Sequence, residues 1–172
     1  MIKINTYLKK QVIISSLENI NEEMERYFVP LKSKVDLCYI DDFDYIEGAI
    51  TICSDEKYIL DFRHWDLVDQ LWVYLLHATY EMLTQKKEVK FYFPDQPIEF
   101  KMKLVSDYAI LLSVKGEKHV VNSKEFLEAL LDGGQHFFAI LYQCKNGQTI
   151  SRSREELELI KEVGNLVGLH FI

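Results

Sequence analysis

Between residues 89 and 121 the chain alternates, and that period restricts its fold more than any other feature. Ile98, Phe100, Met102 and Leu104 are apolar, while Glu99, Lys101 and Lys103 between them are charged. Successive side chains of a strand point to opposite faces, so this pattern demands a sheet with one face on a core and one in water. Val89, Phe91 and Phe93 against Lys90 and Tyr92 extend it upstream, and residues 108–114 and 117–121 carry it on. The connections have turn chemistry. Pro94 suits the first central position of the turn at 93–97, with Asp95 after it, and Ser106-Asp107 and Lys115-Gly116 separate the later runs. The segment reads as a β-meander.

Elsewhere the apolar spacing is helical. Leu67, Leu71, Leu75, Ala78 and Met82 form one row, widened by Val68, Trp72, Leu76 and Leu83. Asp66 stands where a cap belongs, and Asp69, Gln70, His77, Glu81 and Thr84 fall on the opposite face. So broad an apolar face belongs against a sheet. Asn122-Ser123-Lys124-Glu125 has a second capping pattern. Beyond it Phe126, Leu130, Gly134, Phe137, Leu141 and Cys144 keep one phase, which predicts a single helix to about Cys144. Gly134 would then admit a close neighbour; a break at Gly133-Gly134 is the alternative. Ser15-Ser16-Leu17-Glu18 and Ser153-Arg154-Glu155-Glu156 are capping boxes for two more helices, the first ended by Pro30 and the second by Gly168. Residues 35–40, 46–53 and 57–62 read as strands, with Ser54-Asp55-Glu56 as a turn, and Val12-Ile13-Ile14 as a short strand. Lys145-Asn146-Gly147 reads as a turn, and residues 169–172 as a docked apolar tail. The sum is an α+β fold, a single domain over residues 1–172. Its mostly antiparallel sheet has about six or seven strands, with about three or four helices packed on one face.

A length of 172 residues suits one domain. No apolar run approaches the roughly 18 residues a membrane span needs, and the N-terminal one is too short for a signal-peptide core. Cys38, Cys53 and Cys144 are scattered and odd in number, which fits buried structural thiols in a reducing cytoplasm. The net charge of −7 is concentrated: residues 1–15 carry +3, 16–66 carry −8, 67–122 balance and 123–172 carry −2. That argues against nucleic acid and for a partner with a basic surface. Lys90, Lys101 and Lys103 beside Tyr92 would suit single-stranded nucleic acid, but one Tyr is no stacking platform. Surface lysines that discourage sheet aggregation explain the same residues.

Asp61-Phe62-Arg63-His64-Trp65-Asp66 is the densest chemical cluster. As a catalytic site, Asp61 or Asp66 orients His64 as general base and Arg63 holds an anion. As plain structure, Asp66 caps a helix, Asp61 pairs with Arg63 on the surface, and Trp65 plugs the core edge. No Ser or Cys nucleophile motif accompanies it. Asp41-Asp42-Phe43-Asp44-Tyr45-Ile46-Glu47 mixes acids with aromatics. As a binding site, Asp41, Asp42, Asp44 and Glu47 meet a basic partner, with Phe43 and Tyr45 as anchors. As plain structure it is a solvated loop whose aromatics fold back. The calcium-loop pattern is missing. The histidines at 64, 77, 119, 136 and 170 are isolated, so neither a metal site nor a cofactor is expected. His77 and Glu81 read as a surface pair, and His136 as a satisfied half-buried imidazole.

Phe91-Tyr92-Phe93-Pro94-Asp95-Gln96-Pro97-Ile98, the run 108–114 and Lys124-Glu125-Phe126-Leu127-Glu128-Ala129-Leu130 carry a resemblance. They resemble small uncharacterised bacterial proteins, chiefly from Gram-positive bacteria. More loosely they resemble the acidic α+β immunity proteins that neutralise polymorphic or contact-dependent toxins. The resemblance spans about the second half of the chain and rests on turn and core patterns. It implies a protein partner and no catalysis, and transfers no functional residue. The expectation is a cytoplasmic protein-binding module of immunity type. The alternatives are a small hydrolase using Asp61, His64 and Asp66, and a structural homo-oligomer.

Overall fold

The computed structural model describes residues 1–144 and 147–169. Residues 145–146 of the expected turn and the end of the tail, 170–172, lie outside the described residues; the turn's third residue, Gly147, belongs to a helix. Strand β1 (Ile2–Lys9) leads through a turn-rich stretch into a one-turn helix, α1 (Met24–Tyr27), and β2 (Phe28–Pro30). A 3-10 helix (Lys34–Tyr39) precedes the hairpin β3 (Glu47–Ser54) and β4 (Lys57–Leu60). A shorter 3-10 turn (Phe62–His64) and a bridge strand, β5 (Asp66–Leu67), open the long helix α2 (Val68–Gln85). The meander follows as β6 (Val89–Tyr92), β7 (Glu99–Ser106), β8 (Ala109–Val114) and β9 (Glu117–Asn122). Helices α3 (Ser123–Leu141) and α4 (Gly147–Leu166) complete the described chain.

The fold is α+β and its strand pairings are antiparallel, as the alternation demanded. The strands divide between two sheets of five and four, in the orders β2-β1-β3-β4, with β5 on β3, and β6-β7-β8-β9. The outer edges of β4 and β9 face each other across a groove between Ser54, Lys57 and Ile59 on one side and His119, Val120 and Val121 on the other. One core joins both sheets: Ile4, Ile50 and Ile52 pack with Phe100, Met102, Ile110 and Leu112 through Trp72 and Leu75 of α2 and Phe126 and Phe137 of α3. Trp72 Nε1 donates to Thr6 Oγ1 at 2.9 Å, tying α2 to β1.

Local chemistry accounts for the elements that form as expected. Asp55 and Glu56 have φ of +47° and +67°, so the β3–β4 hairpin closes through two left-handed residues, the turn whose twist matches the strands. Asn122 Oδ1 accepts from Glu125 N–H at 3.0 Å and caps α3. That helix runs unbroken through Gly133 and Gly134. The close approach is at Gly133 rather than Gly134: a Cβ there would lie 2.8 Å from the Trp72 ring, against 3.4 Å from Ile160 and Leu76 at Gly134. Gly168, with φ of +72°, stops α4, and Leu169 N–H donates to Gly164 O at 2.8 Å.

Four expectations need correction. The helix foreseen after Ser15 shrinks to Met24–Tyr27, because Ser16 Oγ accepts from Glu18 N–H in a local turn, and a 15-residue helix never nucleates there. Ile20, Tyr27 and Phe28 are buried nonetheless, on a small second cluster with Ala49 and Phe62. The strand is not Val12-Ile13-Ile14 but the segment before it, where Ile2, Ile4, Thr6 and Leu8 are buried alternately. The strand expected at 35–40 is instead the 3-10 helix Lys34–Tyr39, because the Asp36 carboxylate accepts from the N–H of Lys32 and Ser33 and turns the chain on itself. Helix α4 starts at Gly147, not after Ser153; Ser153 is interior and fully buried, its hydroxyl donating to Thr149 O at 2.7 Å.

Candidate functional site

Asp61 follows β4 and caps the 3-10 turn that carries Arg63 and His64; it is buried, so its pair with Arg63 is not the surface pair expected. Its carboxylate accepts from Arg63 N–H at 3.0 Å, from Arg63 Nη2 at 2.5 Å and from Asn21 Nδ2 at 3.0 Å. Asn21 is held in turn, its Oδ1 accepting from Phe62 N–H. His64 Nδ1 lies 3.0 Å from Asp61 Oδ1 and 3.1 Å from Asp61 N. When protonated it donates to the carboxylate; when bare it accepts the amide. Burial pushes the Asp61 carboxyl up, but hydrogen bonds from His64, Arg63 and Asn21 outweigh it and hold the group well below the usual carboxylate range. Asp61 is therefore a fixed anion whose lone pairs are already engaged. It orients its neighbours and takes up no proton near neutrality.

Asp66 does not join them. It lies one residue before the helix cap, Leu67, and its buried carboxylate accepts from the N–H of Leu67 (2.7 Å), Asp95 (3.0 Å) and Gln96 (2.9 Å). The Gln96 side-chain amide also donates to Trp65 O. Asp66 thus anchors the Pro94–Pro97 turn instead of capping α2. Its carboxyl is pushed up by burial despite those donors. The structure brings Asp61, Arg63 and His64 to a cleft of about 200 Å³ with Lys115 and Glu117, and Ser and Cys are absent from its lining.

The loop at 41–47 has one aromatic folded back and its acids exposed. Asp42 Oδ1 accepts from Asp44 N–H at 2.9 Å, and Asp42 O from Tyr45 N–H, so the loop is a closed turn. Phe43 folds back onto the core. Asp41, Asp42 and Asp44 are exposed, and Tyr45 is 65% exposed. None of the three aspartates has an ion-pair partner among the described residues, whereas Glu47 pairs with Lys9 at 3.1 Å. Of the other acids in the 16–66 stretch, Asp36 is engaged by amides, Asp55 by the Met1 ammonium, Glu23 by Arg26, and Asp61 and Asp66 as above, while Glu18, Glu22, Glu25 and Glu56 are exposed along the chain without an ion pair among the described residues.

A buried polar seam between α2 and α4 was not foreseen. Asp69, assigned to the polar face of α2, is 1% exposed and meets Arg152 of α4 at 2.7 Å. His77 turns to Glu156 at 3.2 Å rather than to Glu81, which pairs with Lys87. Burial pushes both the Asp69 and Glu156 carboxyls up. The sequence signal was present but unpaired, because α4 was begun too late for Arg152 to lie on it. His136 has the expected partner, with Nε2 3.0 Å from Leu31 O, but the residue is exposed rather than half-buried. Of the thiols, Cys144 is buried, Cys53 partly so, and Cys38 is exposed because its segment is a surface 3-10 helix. Lys101 pairs with Glu99 on the outer face of the meander. Among the described residues no three His, Cys, Asp or Glu side chains gather as a metal site, and no helix is long and apolar enough to cross a membrane.

Compared with known protein families, curated proteins and solved structures, the chain gives no significant match.

Proposed function

We propose that this chain is a non-catalytic protein-binding module of the cytoplasm, of the inhibitory immunity type, which engages a basic partner through the loop at 41–47. One observation carries the reading. Asp41, Asp42 and Asp44 are exposed and without a counter-ion among the described residues, on a turn held in place by Phe43 and by the Asp42 cap. Tyr45 beside them supplies an aromatic surface at the same point. An anchored turn loses little freedom on binding, and unneutralised carboxylates steer a cationic surface toward it. Asp66 stands apart from His64, its carboxylate held by backbone amides, and neither Ser nor Cys is among the residues lining the His64 cleft, which supports binding over nucleophilic or general-base catalysis.

Affinity capture at low salt, using the whole chain as bait, should retain a basic protein. Against that protein, Asp41→Lys, Asp42→Lys and Asp44→Lys combined should slow association about tenfold while leaving dissociation nearly unchanged. An unchanged on-rate removes the loop from the interface. Failure to capture any basic binder removes the reading itself.

A further inference from the structure

Strand β1 has an edge that the chain leaves uncovered along half its length. On one side β3 pairs with it from Ile2 to Leu8; on the other, β2 reaches only Tyr7, Leu8 and Lys9. Leu31 N–H donates to Thr6 O at 2.9 Å and closes the paired part. In an antiparallel ladder both backbone groups of a residue point to one side, and alternate residues point to opposite sides. Thr6 and Leu8 face β2, so Ile2 and Ile4 face the same way, beyond its end. Among the described residues nothing pairs with their N–H and C=O groups on that side.

A cavity of about 840 Å³ lies along this edge. Ile2, Ile4 and Thr6 line it from the core face of β1, and Lys3, Asn5 and Tyr7 from the other. A cavity that touches both faces of a strand runs along its edge, where an added strand would sit. Its far wall is α3, at Ala129, Asp132 and Gly133, and a second cavity continues past Ile2 along Glu125, Glu128 and Asp132. These three acids share one helix face. Glu125 has the Met1 ammonium at 3.4 Å and Glu128 has Lys124 at 3.8 Å, but Asp132 has no ion-pair partner among the described residues. Lys3 and Lys32 stand on the opposite walls.

We propose that this edge receives an extended peptide of a partner protein as an added β-strand. The unpaired backbone of Ile2 and Ile4 selects an extended main chain. The apolar wall and the α3 acids select apolar and basic side chains on its helix-facing side. A second copy of this chain is the weaker occupant. Pairing β1 to β1 about a two-fold axis would set one row of Glu125, Glu128 and Asp132 beside its duplicate.

The probe is a short acetylated peptide in which threonine alternates with valine and lysine, so that valine and lysine share one face. It should bind saturably and slow the hydrogen exchange of the Ile2 and Ile4 amides. Replacing its lysines by glutamate, or making Asp132→Lys in the protein, should weaken binding about tenfold. Methylating alternate peptide nitrogens should abolish binding without altering the protein. The proposal is overturned by no binding, by equal binding of the glutamate or methylated peptide, or by unprotected Ile2 and Ile4 amides in the complex. It is overturned equally if the protein alone is a dimer with those amides already protected. None of these readouts involves the 41–47 loop, so failure here is distinguishable from failure of the binding role assigned to that loop.

Discussion

Asp61 and Asp69 are both almost fully enclosed carboxylates, yet pH should act on them in opposite senses. The Asp61 carboxyl is held below its ordinary value of 3.8, so the folded state binds its proton less tightly than the unfolded state. Its stabilisation is complete above that value and is lost as pH falls through it toward the folded value. The Asp69 carboxyl is raised above 3.8, so its ionised form costs stability at neutral pH, and acidification down to that value favours the fold. Urea unfolding followed against pH should show this. Asp61→Asn should lower stability at pH 7 by about 2 kcal/mol, since a charge-assisted network loses its anion, and should flatten the acid limb. Asp69→Asn should lose less at pH 7 and remove the opposing gain on acidification. If Asp61→Asn leaves the acid limb unchanged, the network around Asn21, Arg63 and His64 does not hold in solution. The Asp61–Arg63 pair was legible in the sequence because its partners are two residues apart. Asp66 was misread because its partners, Asp95 and Gln96, lie about thirty residues away, and an Asp before an apolar row looks the same as a cap.

Helix α3 shows how two adjacent glycines come to differ. Each costs about 1 kcal/mol of helix stability relative to alanine. At Gly133 a methyl would lie 2.8 Å from Trp72, which is fully buried, bonded to Thr6 and stacked on Phe137. Such a ring has no room to yield, and overpacking of this kind costs about 1–3 kcal/mol. At Gly134 the nearest atoms are the flexible ends of Ile160 and Leu76 at 3.4 Å. Gly133→Ala should therefore destabilise by about 1 kcal/mol net, while Gly134→Ala should be neutral or stabilise by up to about 1 kcal/mol. Denaturant midpoints at constant slope would decide between them, and a stabilised Gly133→Ala would mean that α2 does not sit this close. Continuity of α3 was readable from phase alone, because a broken helix has no reason to keep one. Elements near the N-terminus were not. Ile2–Lys9 alternates as well, but Thr6 takes a core position and Tyr7 an outward one, which blurs the pattern beside the more obvious β-branched run at 12–14. The spacing of Ile20, Tyr27 and Phe28 reflects burial, which turns provide as well as a helix does.

Across the whole molecule the question is whether two sheets make one cooperative unit. Within the ladders they share no strand pairing, and a groove separates β4 from β9. What unites them is the helical layer, with Trp72, Leu75, Phe126 and Phe137 in one core with residues of both sheets. The charge distribution located the acidic stretch at 16–66, but not which of its carboxylates stay unneutralised. That depended on Arg63, the Met1 ammonium and distant amides coming to meet Asp61, Asp55, Asp36 and Asp66. In the same way the meander predicted one half-covered sheet, while the second sheet needed β1, whose pairs with β3 run from Leu8–Gly48 to Ile2–Ser54, far apart along the chain. A core shared this fully should not let either sheet open alone, because freeing one would strip the helices of half their cover. Native-state hydrogen exchange can measure this directly. The amides of Ile50 and Ile52 in the first sheet and of Ile110 and Leu112 in the second should converge on one opening free energy, equal to that of global unfolding. A persistent gap of about 2 kcal/mol or more between the two sets would make the sheets separate cooperative units. Trp72→Ala should then act on one set only. If the helical layer is the joint, that substitution should lower both sets together, by about 3–5 kcal/mol.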